Sequence, residues 1–121
     1  MLRPLKLIFI AALLWPVSAY ARPNSHGGYM VMGFGTKSCG AWTADRQGNG
    51  DIQFVDEAWV LGYLTALNVV GPGSDNIARN TDTDGIVAWV DNYCAAHPLD
   101  EIVTATRALG DVLLAADHKR P

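Results

Sequence analysis

Cysteine is scarce in this chain of 121 residues: there are two, Cys39 and Cys94, with no C-x-x-C pair. That excludes the local motifs of a zinc ribbon or a thioredoxin-like redox centre. Histidine is nearly as sparse, with His26, His97 and His118 the whole supply. No H-E-x-x-H, no G-x-S-x-G and no glycine-rich phosphate loop with its lysine occurs. Nucleophilic catalysis needs a hydroxyl or thiol beside an oriented base. Here His26 lies among glycines, His97 precedes a proline, and His118 stands near the last residue. An enzyme is therefore not expected, and no catalytic residue is assigned. A long apolar stretch is missing too: Leu7 to Trp15 covers nine residues and stops at Pro16, against roughly 20 for a bilayer span.

What surrounds that short run is informative. Arg3 and Lys6 precede it and Ala19-Tyr20-Ala21 follows it, the charged start, apolar middle and small-x-small site of a secretory signal peptide. Residues 1–21 are expected to be removed after Ala21, leaving a periplasmic or secreted product with no membrane attachment. The remainder keeps seven Lys and Arg and all twelve Asp and Glu, a formal charge of −5. Nucleic-acid binding, which rests on clustered positive charge, is thereby disfavoured. One hundred residues make one domain with a modest core, and the oxidising compartment offers a staple in a Cys39–Cys94 disulfide. The rival use of the two thiols in redox chemistry lacks a motif.

Residues 22–35 form a glycine-rich lead-in, with an extended stretch expected at Tyr29 to Met32. Residues 36–117 read as a disulfide-stapled all-α bundle of about four helices, and 118–121 as a tail. Thr36 or Ser38 can cap a short first helix with Cys39 and Trp42 on one face. Asp51 heads a second, Ile52 to about Val70, whose spacing predicts a buried stripe of Ile52, Val55, Trp59, Gly62, Ala66 and Val69, widened by Ala58, Leu61 and Leu67. Gly62 within it suggests close approach of another backbone, or is simply tolerated. Gly71-Pro72-Gly73 ends the helix. The third helix starts in the run Asn80-Thr81-Asp82-Thr83-Asp84 and buries Ile86 or Val87, Val90, Tyr93, Cys94 and His97. Pro98 is expected as the first residue of the fourth, whose apolar face runs Leu99, Ile102, Val103, Thr106, Leu109, Val112, Leu113, Ala116.

Asn80-x-Asp82-x-Asp84-Gly85-x5-Asp91 has the spacing of a calcium loop. Asn80, Asp82, Asp84, the Ile86 carbonyl and Asp91 would supply the oxygens that Ca²⁺ prefers. Against it stand Asn at the first position, the shorter Asp at the twelfth and no entering helix. The alternative is an acidic helix cap with Asp91 on an exposed face, and no cofactor. Among the aromatics, Trp89 and Tyr63 are the candidates for contact with a partner, although core packing explains most rings equally well.

Trp59-Val60-Leu61-Gly62-Tyr63-Leu64, followed by Val90-Asp91-Asn92-Tyr93-Cys94-Ala95-Ala96-His97-Pro98 and a last amphipathic helix, resembles the small secreted helical proteins around the Tai-type immunity family. More loosely the chain is similar to HdeA-type periplasmic acid chaperones. The first resemblance implies a periplasmic protein that binds and neutralises a cell-wall-degrading effector of a type VI secretion system. The second implies a chaperone that holds clients at low pH, although the basic clusters expected of one are missing. The reading that follows is a non-enzymatic binding protein with a protein partner. The acid chaperone and a calcium-stabilised structural module remain alternatives, and a homodimer stays open.

Overall fold

The computed structural model describes residues 29–119. The expected leader (1–21), the start of the lead-in with His26, and residues 120–121 lie outside them. The protein is all-α: after one 3-10 turn, Gly33–Thr36, come α1 (Cys39–Gln47), α2 (Ile52–Val70), α3 (Thr83–Ala96) and α4 (Ile102–His118). A single disulfide, Cys39–Cys94, joins α1 to α3 with its Cα atoms 4.6 Å apart.

Helix starts follow side-chain chemistry at two points. Ser38 Oγ accepts from the Ala41 N–H at 3.1 Å, and Asp82 Oδ1 accepts from the Gly85 N–H at 2.9 Å. Asp51 heads α2 without a side-chain cap bond, being helical itself.

The fourth helix begins later than Pro98 suggested. Residues 97–100 form a turn whose carbonyls are needed elsewhere: the Cys39 N–H donates to Asp100 O (2.7 Å) and the Gly40 N–H to Pro98 O (2.9 Å). In return the Ile102 N–H donates to Lys37 O at 2.8 Å. The first amides of any helix lack internal acceptors, and α1 takes its acceptors from this turn. Leu99 consequently points to solvent, 95% exposed, instead of joining the apolar face of α4.

The core gathers Trp42, Val60, Leu64, Val90, Ile102, Ala105 and Leu109 around the disulfide. On α3, Ile86, Val87, Val90 and Cys94 are buried as their spacing requires, whereas Tyr93 is half-buried and His97 exposed. On α4, Ile102, Val103, Thr106 and Leu109 are buried, but Gly110 replaces Val112 and Ala116, which are exposed. Gly110 sits beneath Leu67, where a Cβ would lie 2.8 Å from Leu67 Cδ1. That contact rolls α4 toward α2.

The largest departure is in α2. Its buried line is Asp56, Val60 and Leu64, while Ile52, Val55, Gly62, Ala66 and Val69 are exposed. No neighbouring atom lies within 4 Å of a Cβ built on Gly62, so no backbone approaches it. The deciding side chain is Asp56, fully buried, with both oxygens 2.9 Å from Lys37 Nζ. Lys37 also hydrogen-bonds Asp45. A carboxylate can be taken out of water only with such a partner. Because α2 is apolar on nearly every side, hydrophobic spacing gave it no unique direction, and the ion pair supplied one.

Burial raises the pKa of Asp56 despite Lys37, whereas the hydrogen bond from Lys37 lowers that of Asp45. Burial works against the Lys37 ammonium, yet its bonds to the two carboxylates outweigh this and raise its pKa. Acidification therefore protonates Asp56 first. The share of stability tied to Asp56 grows as pH falls through its raised pKa toward the ordinary 3.8, while that tied to Asp45 is present above 3.8 and lost below it.

Removing the disulfide, whose cysteines stand 55 positions apart, should cost about 4 kcal/mol in the chain-entropy model. Urea unfolding with and without reductant measures it, and coincident midpoints would contradict the staple. Lys37→Met should destabilise the fold by about 3 kcal/mol at pH 7 by stranding the buried Asp56. Because protonation neutralises that carboxylate, the deficit should shrink in urea melts as pH is lowered toward 4. A deficit independent of pH would point to lost packing instead.

Candidate functional site

Most of the large exposed apolar side chains fall on two segments: Tyr29, Met30 and Met32 before the 3-10 turn, and Ile52, Phe54, Val55, Val69 and Val70 on α2. Where these two segments meet, a groove of about 500 Å³ opens. One wall is the run Tyr29 to Met32, the other is Ala58, Trp59, Gly62 and Tyr63 of α2, and Val103 of α4 also contributes. Gly33, at φ +70°, takes the left-handed conformation that glycine tolerates best, and the chain turns there between the Tyr29–Met32 run and the 3-10 helix.

Trp59 is fixed from two directions. Its Nε1–H donates to Met32 O at 2.7 Å, and its six-membered ring lies against Gly35, where a Cβ would come within 2.2 Å of Cζ2. Tyr63 continues the aromatic wall one turn on, its ring 5.7 Å from that of Trp59 and tilted by 32°. Tyr29 is held by Arg107 of α4, whose Nη1 donates to the Tyr29 hydroxyl at 2.5 Å and whose guanidinium stands 5.0 Å from the ring centroid. Burial raises the pKa of Tyr63, and the Arg107 charge partly opposes this. The hydrogen bond to Tyr29 raises that of Arg107 further.

Of the two aromatic candidates, Tyr63 lines the groove and Trp89 does not. Trp89 is half-buried on α3, stacked on Tyr93 at 5.6 Å, and Tyr93 stacks in turn on His97 at 4.4 Å. The Tyr93 hydroxyl donates to Asp100 Oδ2 at 2.8 Å, so the stack braces the turn that caps α1.

The residues with calcium-loop spacing are engaged in separate places. Asp82 caps α3, Asn80 and Asp84 are exposed, and Ile86 is buried inside the helix. Asp91 faces α1, accepting from Trp42 Nε1 at 2.7 Å and pairing with Arg46 Nε at 2.6 Å. Among the described residues no group of three or more His, Cys, Asp or Glu side chains could hold a metal ion. A second, polar hollow of about 310 Å³ adjoins Asp91 and Arg46. There Arg46 lies between Asp91 and Glu57 Oε1, the latter at 2.5 Å, so its charge is already matched.

Met30, Met32 and Arg107 were not visible as site residues in the sequence, and Trp59 read as core. The available signal was Tyr29-Met30-Val31-Met32, four apolar residues set between glycines. Gly35→Ala should push Trp59 out of its seat, lowering stability by roughly 1–3 kcal/mol and shifting tryptophan emission to longer wavelength. Unchanged melting and emission would show that the ring is not pressed there.

Among the described residues no helix is long and apolar enough to cross a membrane. Compared with protein-family models, curated proteins and solved structures, the chain matches none.

Proposed function

We propose that this is a non-enzymatic binding protein that works outside the cytoplasm, in the manner of the Tai-type immunity proteins it resembles. Its protein partner, a cell-wall-degrading effector, docks on the outward face of α2. The observation that carries this reading is that face itself. Val55, Ala58, Gly62, Ala66 and Val69 recur at helical spacing, all exposed, with Val69 at 75%. Contiguous apolar surface of this kind on a small soluble domain marks a site of contact. Methionine side chains such as Met30, 88% exposed, adapt readily to a partner's shape. Charged groups that would discourage docking are absent between Val55 and Val69 on that face.

The test is survival of a strain lacking the protein beside a sibling that delivers such an effector. The native chain should protect, and Ala66→Asp, which puts a charge on the exposed face, should abolish protection while leaving the melting temperature within a few degrees of native. Equal survival with and without the protein would remove the immunity reading. Full protection by Ala66→Asp would remove the docking face.

A further inference from the structure

We infer that the groove between Tyr29–Met32 and α2 binds a medium-chain fatty acid, with the alkyl chain against Trp59 and Tyr63 and the carboxylate on Arg107. This goes beyond the protein-partner reading and does not depend on it.

The groove is apolar along most of its walls, and Arg107 reaches it through Tyr29, whose hydroxyl accepts from Arg107 Nη1. Arg107 stands one turn beyond Val103, a lining residue, and is fastened to Tyr29, another.

Arg107 is also open to an anion. Lys37, Arg46 and Arg79 each meet at least one carboxylate within 4 Å, but Arg107 enters none of the ion pairs among the described residues. Asp111, one turn further along α4, acts on it only at longer range. A guanidinium presents five donors in a planar fork suited to a carboxylate, and the Tyr29 hydroxyl takes one of them. A cation with no carboxylate partner among the described residues, held against one wall residue of an apolar trough, selects a singly charged head on an apolar chain.

Size agrees with that occupant. About 500 Å³ falls within the usual range of small-molecule sites, roughly 300–1,000 Å³. Ala58 to Tyr63 covers about 7.5 Å of helix axis, which suits a chain of medium length. Gly62 contributes no side chain to obstruct it, and a Cβ there would meet nothing within 4 Å.

Calorimetric titration of the full, disulfide-bonded chain with decanoate, below its micelle concentration, tests the inference. Saturable one-to-one binding is expected, weakening about fourfold for each methylene removed as the acid is shortened to octanoate. Decanol and decyltrimethylammonium should bind at least about tenfold more weakly, the difference made by a charge-assisted hydrogen bond. Arg107→Gln should remove the preference for the carboxylate, so that decanoate and decanol bind this variant equally. Gly62→Leu should block both ligands while circular dichroism stays native, because its side chain enters the groove from a solvent-facing helix position. Absence of saturable decanoate binding, equal affinity for decanol, or full binding by either variant would overturn the assignment.

Discussion

Lys37 stands on the turn before α1, and its ammonium reaches two carboxylates on different helices, Asp45 of α1 and the buried Asp56 of α2. The fold's functional geometry depends on this contact. An amphipathic helix turns its apolar stripe inward, but α2 is nearly uniformly apolar and could settle in several orientations at similar hydrophobic gain. An unpaired Asp56 would be tolerable only facing water. Paired with Lys37 it faces the core, and the side of α2 bearing Val55, Ala58, Gly62 and Ala66 is left outside. A polar constraint in the interior thus determines where apolar surface appears on the exterior, which agrees with the view that buried ion pairs serve specificity more than stability.

Two other devices hold the arrangement. The disulfide joins α1 to α3 at the centre of the core, and the turn at 97–100 supplies acceptors to the first amides of α1. At the far end Ile77, from the loop between α2 and α3, is buried, and its N–H donates to Asn68 Oδ1 at 3.0 Å. Asp117 takes hydrogen bonds from the N–H and hydroxyl of Ser74, tying that loop to α4. A core of this size gains from ties at both ends, because burial alone leaves a domain of about 100 residues little margin.

The helices themselves were legible in the sequence. Ser38, Asp82, Gly48 and Gly71 act through local chemistry, and α2 runs from Ile52 to Val70 as its punctuation indicated. What escaped were features decided between distant segments. Pro98 looked like a helix start because nothing nearby forbids one, yet its carbonyl is claimed by Gly40, far away in the chain. The direction of α2 followed from an ion pair between Lys37 and Asp56, which periodicity does not register. The groove was missed for the same reason. Trp59 occupied a stripe that reads as buried, and Arg107 a face that reads as solvated, until the segment from Tyr29 to Met32 was laid across both. Tyr63 could be picked out as a contact residue from its type, but its companions could not.

The turn at 97–100 bears on how the chain folds. α1 has nine residues, fewer than the roughly 12–15 at which an isolated helix becomes even marginal in water. Its first amide protons are received by carbonyls that are in position only after α3 and α4 have met. α1 therefore does not stand alone: its first turn is completed by a surface that the C-terminal half supplies. Amide exchange at Cys39 and Gly40 reports the integrity of a hairpin some sixty residues downstream.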